Sequence, residues 1–124
     1  MQFWYFGDFG QFAYNLKESD KYLVQAKTLF EYNQYLLGYK ALQKSNLYFQ
    51  KVKPYLLAAR GHGKNIQEKM NVLQQAALKH SEVLEKLQHD LPQEVTWQPE
   101  KAASTQLHIF ELLQQSEIIR KNVL

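Results

Sequence analysis

The second half of the chain has the clearest hydrophobic pattern. Two complementary registers recur every seven residues: Ile66, Leu73, His80 and Leu87 in one, and Met70, Ala77, Leu84 and Leu91 in the other. A heptad repeat of this length predicts a helix over 65–91 that packs in the manner of a coiled coil. Asn65 is a candidate N-cap. Pro92 ends the helix, because a proline disfavours the α conformation of the residue before it.

The first half carries a second seven-residue repeat, formed by Phe9, Leu16, Leu23, Phe30 and Leu37. It predicts one long helix over 9–44. Ser45–Asn46 is the predicted turn after this helix, and a shorter helix follows over 47–60. Pro54 lies inside the shorter helix, where its missing N–H is expected to kink or split it.

The region after the heptad helix is predicted as a loop over 92–98 and a final helix over 98–123. Pro99 suits the first turn of that helix, since a proline there loses no hydrogen bond. No segment shows the two-residue alternation that is typical of a strand. The predicted fold class is therefore all-α, an antiparallel bundle of about four helices in a single domain, 1–124.

Aromatic residues are concentrated at the start of the chain, with 15 of the 17 in the first 55 positions. A capping-box pattern at Asn15 provides a second start for the first helix, which would leave residues 1–14 as a separate aromatic arm. Rings bury a large area at low entropy cost and are favoured where partners dock. Interfacial membrane binding is disfavoured, because Asp8 is the only charge before Lys17.

The aromatic arm and the heptad face together form the predicted contact surface for a protein partner or a second copy of the chain. For the arm taken alone, the simpler interpretation is that it packs on its own bundle. The interface candidates are Phe3, Trp4, Phe6, Phe9, Ile66, Met70, Leu73, Leu84 and Leu87.

The net charge of +3 is small, but the cations are unevenly placed. No acidic residue occurs between Glu31 and Glu68, where cations alternate with rings. Cations neutralise phosphates and rings stack on unpaired bases, so this basic aromatic segment, 39–64, predicts binding of a nucleic acid or a phosphate. The simpler interpretation is that the lysines solvate the outer face of helices whose tyrosines are core. The candidates are Lys40, Lys44, Tyr48, Lys51, Lys53, Tyr55, Arg60, His62 and Lys64.

The chemistry-bearing residues form no arrangement typical of an enzyme. The chain has no cysteine, which excludes disulfides and thiolate chemistry and predicts a reducing, cytoplasmic location. Neither Glu85–His89 nor His108–Glu111 has the Glu-x-x-His order of paired-metal bundles. His80 is a single polar residue in a heptad seam, which is more typical of fixing register than of catalysis. We therefore expect no catalytic residue, metal or cofactor.

These patterns favour a non-enzymatic, cytoplasmic helical bundle that works by association with a protein partner or with itself as a homo-oligomer. A bundle that binds nucleic acid or phosphate through residues 39–64 is the alternative. An enzyme whose pocket the sequence does not reveal is a third, less favoured class.

Overall fold

A computed structural model describes residues 7–91, 95–97 and 105–124 of the chain. Within these residues there are four helices and a two-stranded antiparallel hairpin: α1 (Asp8–Glu31), α2 (Tyr35–Gly61), α3 (Gln67–Asp90), β1 (Val95–Trp97), β2 (Thr105–Leu107) and α4 (Ile109–Lys121). Helix α1 packs chiefly on α2, α4 packs on both α3 and α2, and α1 and α3 share only a short contact. The helices form a bundle, which confirms the predicted all-α class.

The boundary between the first two helices lies earlier than predicted. The helix predicted over 9–44 is divided by a turn at residues 32–34, where Asn33 adopts a left-handed φ of 61°. Asparagine tolerates this conformation better than most residues. Ser45–Asn46, the predicted turn, lies inside α2 and is buried. The helix also runs unbroken through Pro54, so the predicted split does not occur.

The seven-residue repeat failed to reveal this turn because hydrophobicity continues across it. Phe30 is buried in the core at the end of α1, whereas the next member of the repeat, Leu37, is 53% exposed. The contact of α2 with Phe30 is made at Gly38 instead of Leu37. A Cβ on Gly38 would lie 2.9 Å from Cδ1 of Phe30, so the missing side chain lets α2 approach α1 closely.

The start of the first helix follows the hydrophobic repeat rather than the capping box. Helix α1 begins at Asp8, and Asn15 lies buried within it, where Nδ2 donates to the carbonyl oxygen of Gln11 over 2.8 Å. Residues 8–14 are therefore helical and not part of a separate arm. The remainder of the predicted arm, 1–6, lies outside the described residues.

Helix α3 occupies most of the range predicted for the heptad helix. Oδ1 of Asn65 accepts the backbone N–H of Gln67 over 3.0 Å, as in an Asx turn, but the N-cap of the helix is Ile66 and not the predicted Asn65. The helix ends at Asp90, ahead of Pro92. No helix among the described residues is long and apolar enough to cross a membrane.

The segment before the last helix was predicted wrongly. Val95 pairs with Leu107 and Trp97 with Thr105 in the hairpin, so part of the predicted loop and part of the predicted final helix are strands. Helix α4 accordingly begins at Ile109 rather than at 98. The β-branched and aromatic residues of 95–97 suit a strand, but three residues are too few for an alternating pattern to be recognised.

The core consists of two apolar clusters with a polar layer between them. The first cluster contains Leu23, Ala26, Phe30, Ala41, Leu42, Leu84, Leu87, Ile109, Leu112 and Leu113. The second contains Phe12, Leu16, Phe49, Val52, Leu56, Ala59, Ile66, Leu73, Ala77 and Val123. The polar layer, formed by buried Ser19, Ser45, Asn46, His80, Ser116 and Arg120, falls between the two clusters along each helix.

The close approach at Gly38 leads to a prediction about stability. In Gly38→Ala the added Cβ would overlap the Phe30 ring, which should outweigh the gain of about 1 kcal/mol in helix propensity. We expect the free energy of unfolding, measured by urea denaturation, to fall by about 1–2 kcal/mol. Gly61→Ala, where an added Cβ has nothing within 4 Å, is the matched control and should lose no stability. Equal losses in the two variants would contradict the close approach.

Candidate functional site

Arg120 lies at the centre of the polar layer, with its side chain fully buried. Its Nε donates to Nδ1 of His80 over 3.2 Å. One terminal nitrogen donates to Oγ of Ser45 over 2.7 Å. The other donates to Oδ1 of Asn46 and, over 3.3 Å, to the carbonyl oxygen of Ser116. Each nitrogen of the guanidinium therefore has an acceptor.

The acceptors around this guanidinium are held by further hydrogen bonds. Nδ2 of Asn46 donates over 2.8 Å to Oγ of Ser116, which itself donates over 2.7 Å to the carbonyl oxygen of Leu112. Oγ of Ser45 donates over 2.8 Å to the carbonyl oxygen of Ser19. With the histidine of α3, the polar layer thus joins all four helices.

The charge of Arg120 is maintained despite its burial. Desolvation lowers the pKa of its guanidinium to about 9, and the Asp20 carboxylate opposes this shift more weakly. The side chain therefore remains protonated at neutral pH. Its guanidinium carbon lies 4.8 Å from the centroid of the Phe49 ring, which adds a cation–π contact.

The hydrogen bond from Arg120 determines the tautomer of His80. A guanidinium only donates, so Nδ1 of His80 must be the acceptor and carry no proton. The ring proton is therefore on Nε2, which donates it to Oδ1 of Asp20 on α1. The Asp20 side chain is 53% exposed, so this chain of contacts connects the buried cation with the surface.

The surface reached by Asp20 is a groove between α1 and α3 with a volume of about 630 Å³. It is lined by Leu16, Asp20, Leu23, Val24, Lys27, Glu68, Asn71, Val72, Gln75, Ala76, Lys79, His80 and Val83. Val24 and Val72 are 63% and 49% exposed, so apolar surface on both helices faces solvent. We call this feature the α1–α3 groove.

The predicted heptad interface is used inside the bundle instead of at its surface. Ile66, Leu73, Leu84 and Leu87 are all buried in the two apolar clusters. The seam packs within one chain because the other helices cover it, so these four side chains offer no free contact surface.

The other interface candidates are Met70 of the heptad and four aromatic residues near the start of the chain. Phe9 and Met70 are half-buried and pack against the second cluster. The remaining candidates, Phe3, Trp4 and Phe6, lie outside the described residues.

Part of the basic aromatic segment forms a compact surface with residues of α1. The rings of Tyr22 and Tyr48 are stacked, with centroids 5.7 Å apart and planes 6° apart. Lys21 and Lys44 lie 4.7 and 5.3 Å from the centroid of Tyr22, and Lys51 lies 5.5 Å from that of Tyr48. We call these five residues the tyrosine–lysine face.

This surface has aromatic and acidic neighbours. Tyr14 meets the Tyr48 ring edge-on at 6.2 Å. Burial beside Tyr14 raises the pKa of the Tyr48 hydroxyl. Glu18 pairs with Lys21 over 3.0 Å, so the face carries one carboxylate beside its three lysines.

The other candidates of the basic segment do not join this face. Nζ of Lys53 donates to the carbonyl oxygen of Asn122 over 3.4 Å, on the side of α2 that meets α4. His62 pairs through Nδ1 with Oδ2 of Asp8 over 2.9 Å. The remaining candidates are also dispersed: exposed Lys40, half-buried Tyr55 against the second cluster, and Arg60 and Lys64 around a separate recess of about 370 Å³.

Several residues of these sites were not identified from the sequence. Arg120 follows Ser116 by four positions and Leu112 by eight, so its place in the buried stripe was recognisable from spacing. Asp20 and Val24 are likewise four apart on one face of α1. That this face remains uncovered depends on how far α3 lies from α1, which no spacing reveals.

No known protein family, curated protein or solved structure matches this chain. Functional interpretation therefore depends on the α1–α3 groove, the polar layer and the tyrosine–lysine face themselves.

The polar layer leads to a prediction for Arg120→Met. The change leaves Oδ1 of Asn46 and Nδ1 of His80 buried without a donor, at about 1–3 kcal/mol each. We expect the free energy of unfolding to fall by about 2–4 kcal/mol in chemical denaturation. Lys121→Met, at the neighbouring exposed position, should stay within about 0.5 kcal/mol of the wild type.

A double-mutant cycle tests the network more closely. Because Asn46→Leu removes one of the acceptors left unpaired, the combined Arg120→Met and Asn46→Leu variant should lose less stability than the sum of the two single variants. Strictly additive losses would contradict direct coupling in the layer.

Proposed function

We propose that this chain is a non-enzymatic binding module that accepts an amphipathic helix of a partner protein in the α1–α3 groove. The observation that carries this proposal is the groove itself, where apolar side chains of two helices stay exposed. Burying one fully exposed valine contributes about 1.5–3 kcal/mol, so several such contacts would together favour binding of an occupant of complementary shape.

The dimensions of the groove suit a helix. On α1 it extends from Leu16 to Lys27, and the eleven residue-to-residue steps between them rise by about 16 Å. This length accommodates roughly three turns of an occupant, which would present apolar side chains at i, i+3 or i+4, and i+7.

The occupant that we propose is a different protein rather than a second copy. The four described helices already pack in one bundle through their buried apolar residues, so none of them is free to enter the groove of a second copy. Two grooves that face each other are both concave and leave each other unfilled, whereas a separate helix supplies the convex surface that fits between α1 and α3. We also propose a cytoplasmic location, because the chain has no cysteine that would require an oxidising compartment.

Selection from a displayed library of helical peptides tests this function. Peptides enriched on the wild-type protein should have an amphipathic pattern and bind at least tenfold more weakly to the double variant Val24→Arg and Val72→Arg. Both positions are exposed, so the arginines should obstruct the groove and leave the fold intact. Leu78→Arg, at an exposed position of α3 that does not line the groove, is the matched control and should bind normally.

The proposal is overturned if no groove-dependent peptide is enriched, or if both variants bind equally well. Light scattering tests whether a second copy of the chain occupies the groove instead. A wild-type dimer that Val72→Arg converts to a monomer would show that a second copy occupies the groove.

A second candidate function is binding of a polyanion, such as single-stranded nucleic acid, at the tyrosine–lysine face. The observation that favours it is the grouping of Lys21, Lys44 and Lys51 around two stacked tyrosines. Cations beside partly exposed tyrosine rings suit phosphates and unpaired bases. Only part of the basic segment takes part, because the helical period directs Lys53 to the opposite side of α2.

This arrangement predicts that lysines of the tyrosine–lysine face contribute to binding and that Lys53, on the other side of α2, does not. The double variant Lys21→Ala and Lys51→Ala should weaken binding of an oligonucleotide of about 20 nucleotides and reduce the slope of log K against log salt by roughly 1 to 1.5. Lys53→Ala is the matched control and should have little effect. Fluorescence anisotropy at about 50 mM salt measures both. No binding under this condition, or equal effects of the variants, would exclude the face as a nucleic-acid site.

A further inference from the structure

We infer that the α1–α3 groove selects an occupant that carries a lysine or arginine within its apolar face, and that Asp20 receives this cation. The inference rests on the proposed function and adds the chemistry by which one partner helix is distinguished from another.

Asp20 is placed where an occupant must meet it. It lies on α1 between Leu16 and Val24, each four residues away, so all three line the same side of the groove. One carboxylate oxygen accepts the Nε2–H of His80. The other has no hydrogen-bond partner among the described residues, and the side chain is 53% exposed.

The polar layer keeps Asp20 an acceptor. Arg120 can only donate, so it fixes the proton of His80 on Nε2, and that proton points to Asp20. His80 therefore cannot present an unprotonated ring nitrogen to the carboxylate. An occupant that places an apolar or acidic group opposite Asp20 would desolvate a carboxylate without pairing it, which disfavours binding.

The charges along the groove also favour a cation. Lys27 is paired with Glu31 over 2.8 Å, at one end of the groove. Among the side chains that line the groove, this leaves the carboxylates of Asp20 and Glu68 against the single ammonium of Lys79, which forms no ion pair with Asp20 in the described structure. The guanidinium of Arg120 also attracts Asp20, but it is buried behind His80 and does not face the groove. A lysine or arginine of the occupant would make a charge-assisted hydrogen bond that the occupant's own apolar face shields from water.

The groove-dependent peptides from the display selection provide the test. We expect them to carry lysine or arginine at one fixed position of their apolar face. Asp20→Asn should weaken their binding about tenfold or more, because the amide still accepts from His80 but has no charge. Glu85→Gln, which removes an exposed carboxylate of α3 outside the groove, is the matched control and should leave affinity unchanged.

A change in the peptide tests the same contact without altering the protein. Replacing the conserved peptide lysine by norleucine should weaken binding to the wild type by a similar factor and have little further effect on Asp20→Asn. Nitrogen-15 NMR of the histidine ring should show the Nε2–H form in both proteins, which establishes that the polar layer is intact.

The possible results separate the two proposals. Groove-dependent peptides without a conserved cation, or with equal affinity for the wild type and Asp20→Asn, would overturn this inference and leave the helix-binding function in place. The absence of any groove-dependent peptide would overturn both.

Discussion

The arrangement of the helices depends on the burial of one cation, the guanidinium of Arg120. A buried charge is tolerated only when its hydrogen-bonding groups are satisfied. Its acceptors come from Ser45 and Asn46 on α2, His80 on α3 and the backbone of α4. A helix that slid along its axis by one turn would remove an acceptor from this set. Apolar packing tolerates such shifts more easily, so the polar layer defines the register of the bundle.

The same layer joins the interior to the proposed recognition surface. The fixed tautomer of His80 presents a proton to Asp20, and Asp20 lines the α1–α3 groove. The hydrogen bonds that satisfy the buried cation therefore also orient the carboxylate of the groove. In this structure a stabilising network also determines the hydrogen-bonding character of the surface next to it.

Hydrophobic period predicted the helices well where the pattern and the packing coincide, and less well at their ends. Helix α3 was recognised almost completely, because its heptad seam is the face that the other helices bury. The turn near Asn33 was missed, since the repeat continues from Phe30 to Leu37 although only Phe30 is core. The short hairpin at 95–97 and 105–107 was missed because strand pairing joins residues that no local period relates.

From the sequence alone came the helical class, the heptad face of α3 and the place of His80 within that face. Which apolar faces became core and which stayed open followed from the packing of the helices, as Leu73 and Val72 show on α3. The packing also decided that Asp20 meets His80. Periodicity describes one helix at a time, whereas exposure and hydrogen bonding depend on the distances between helices.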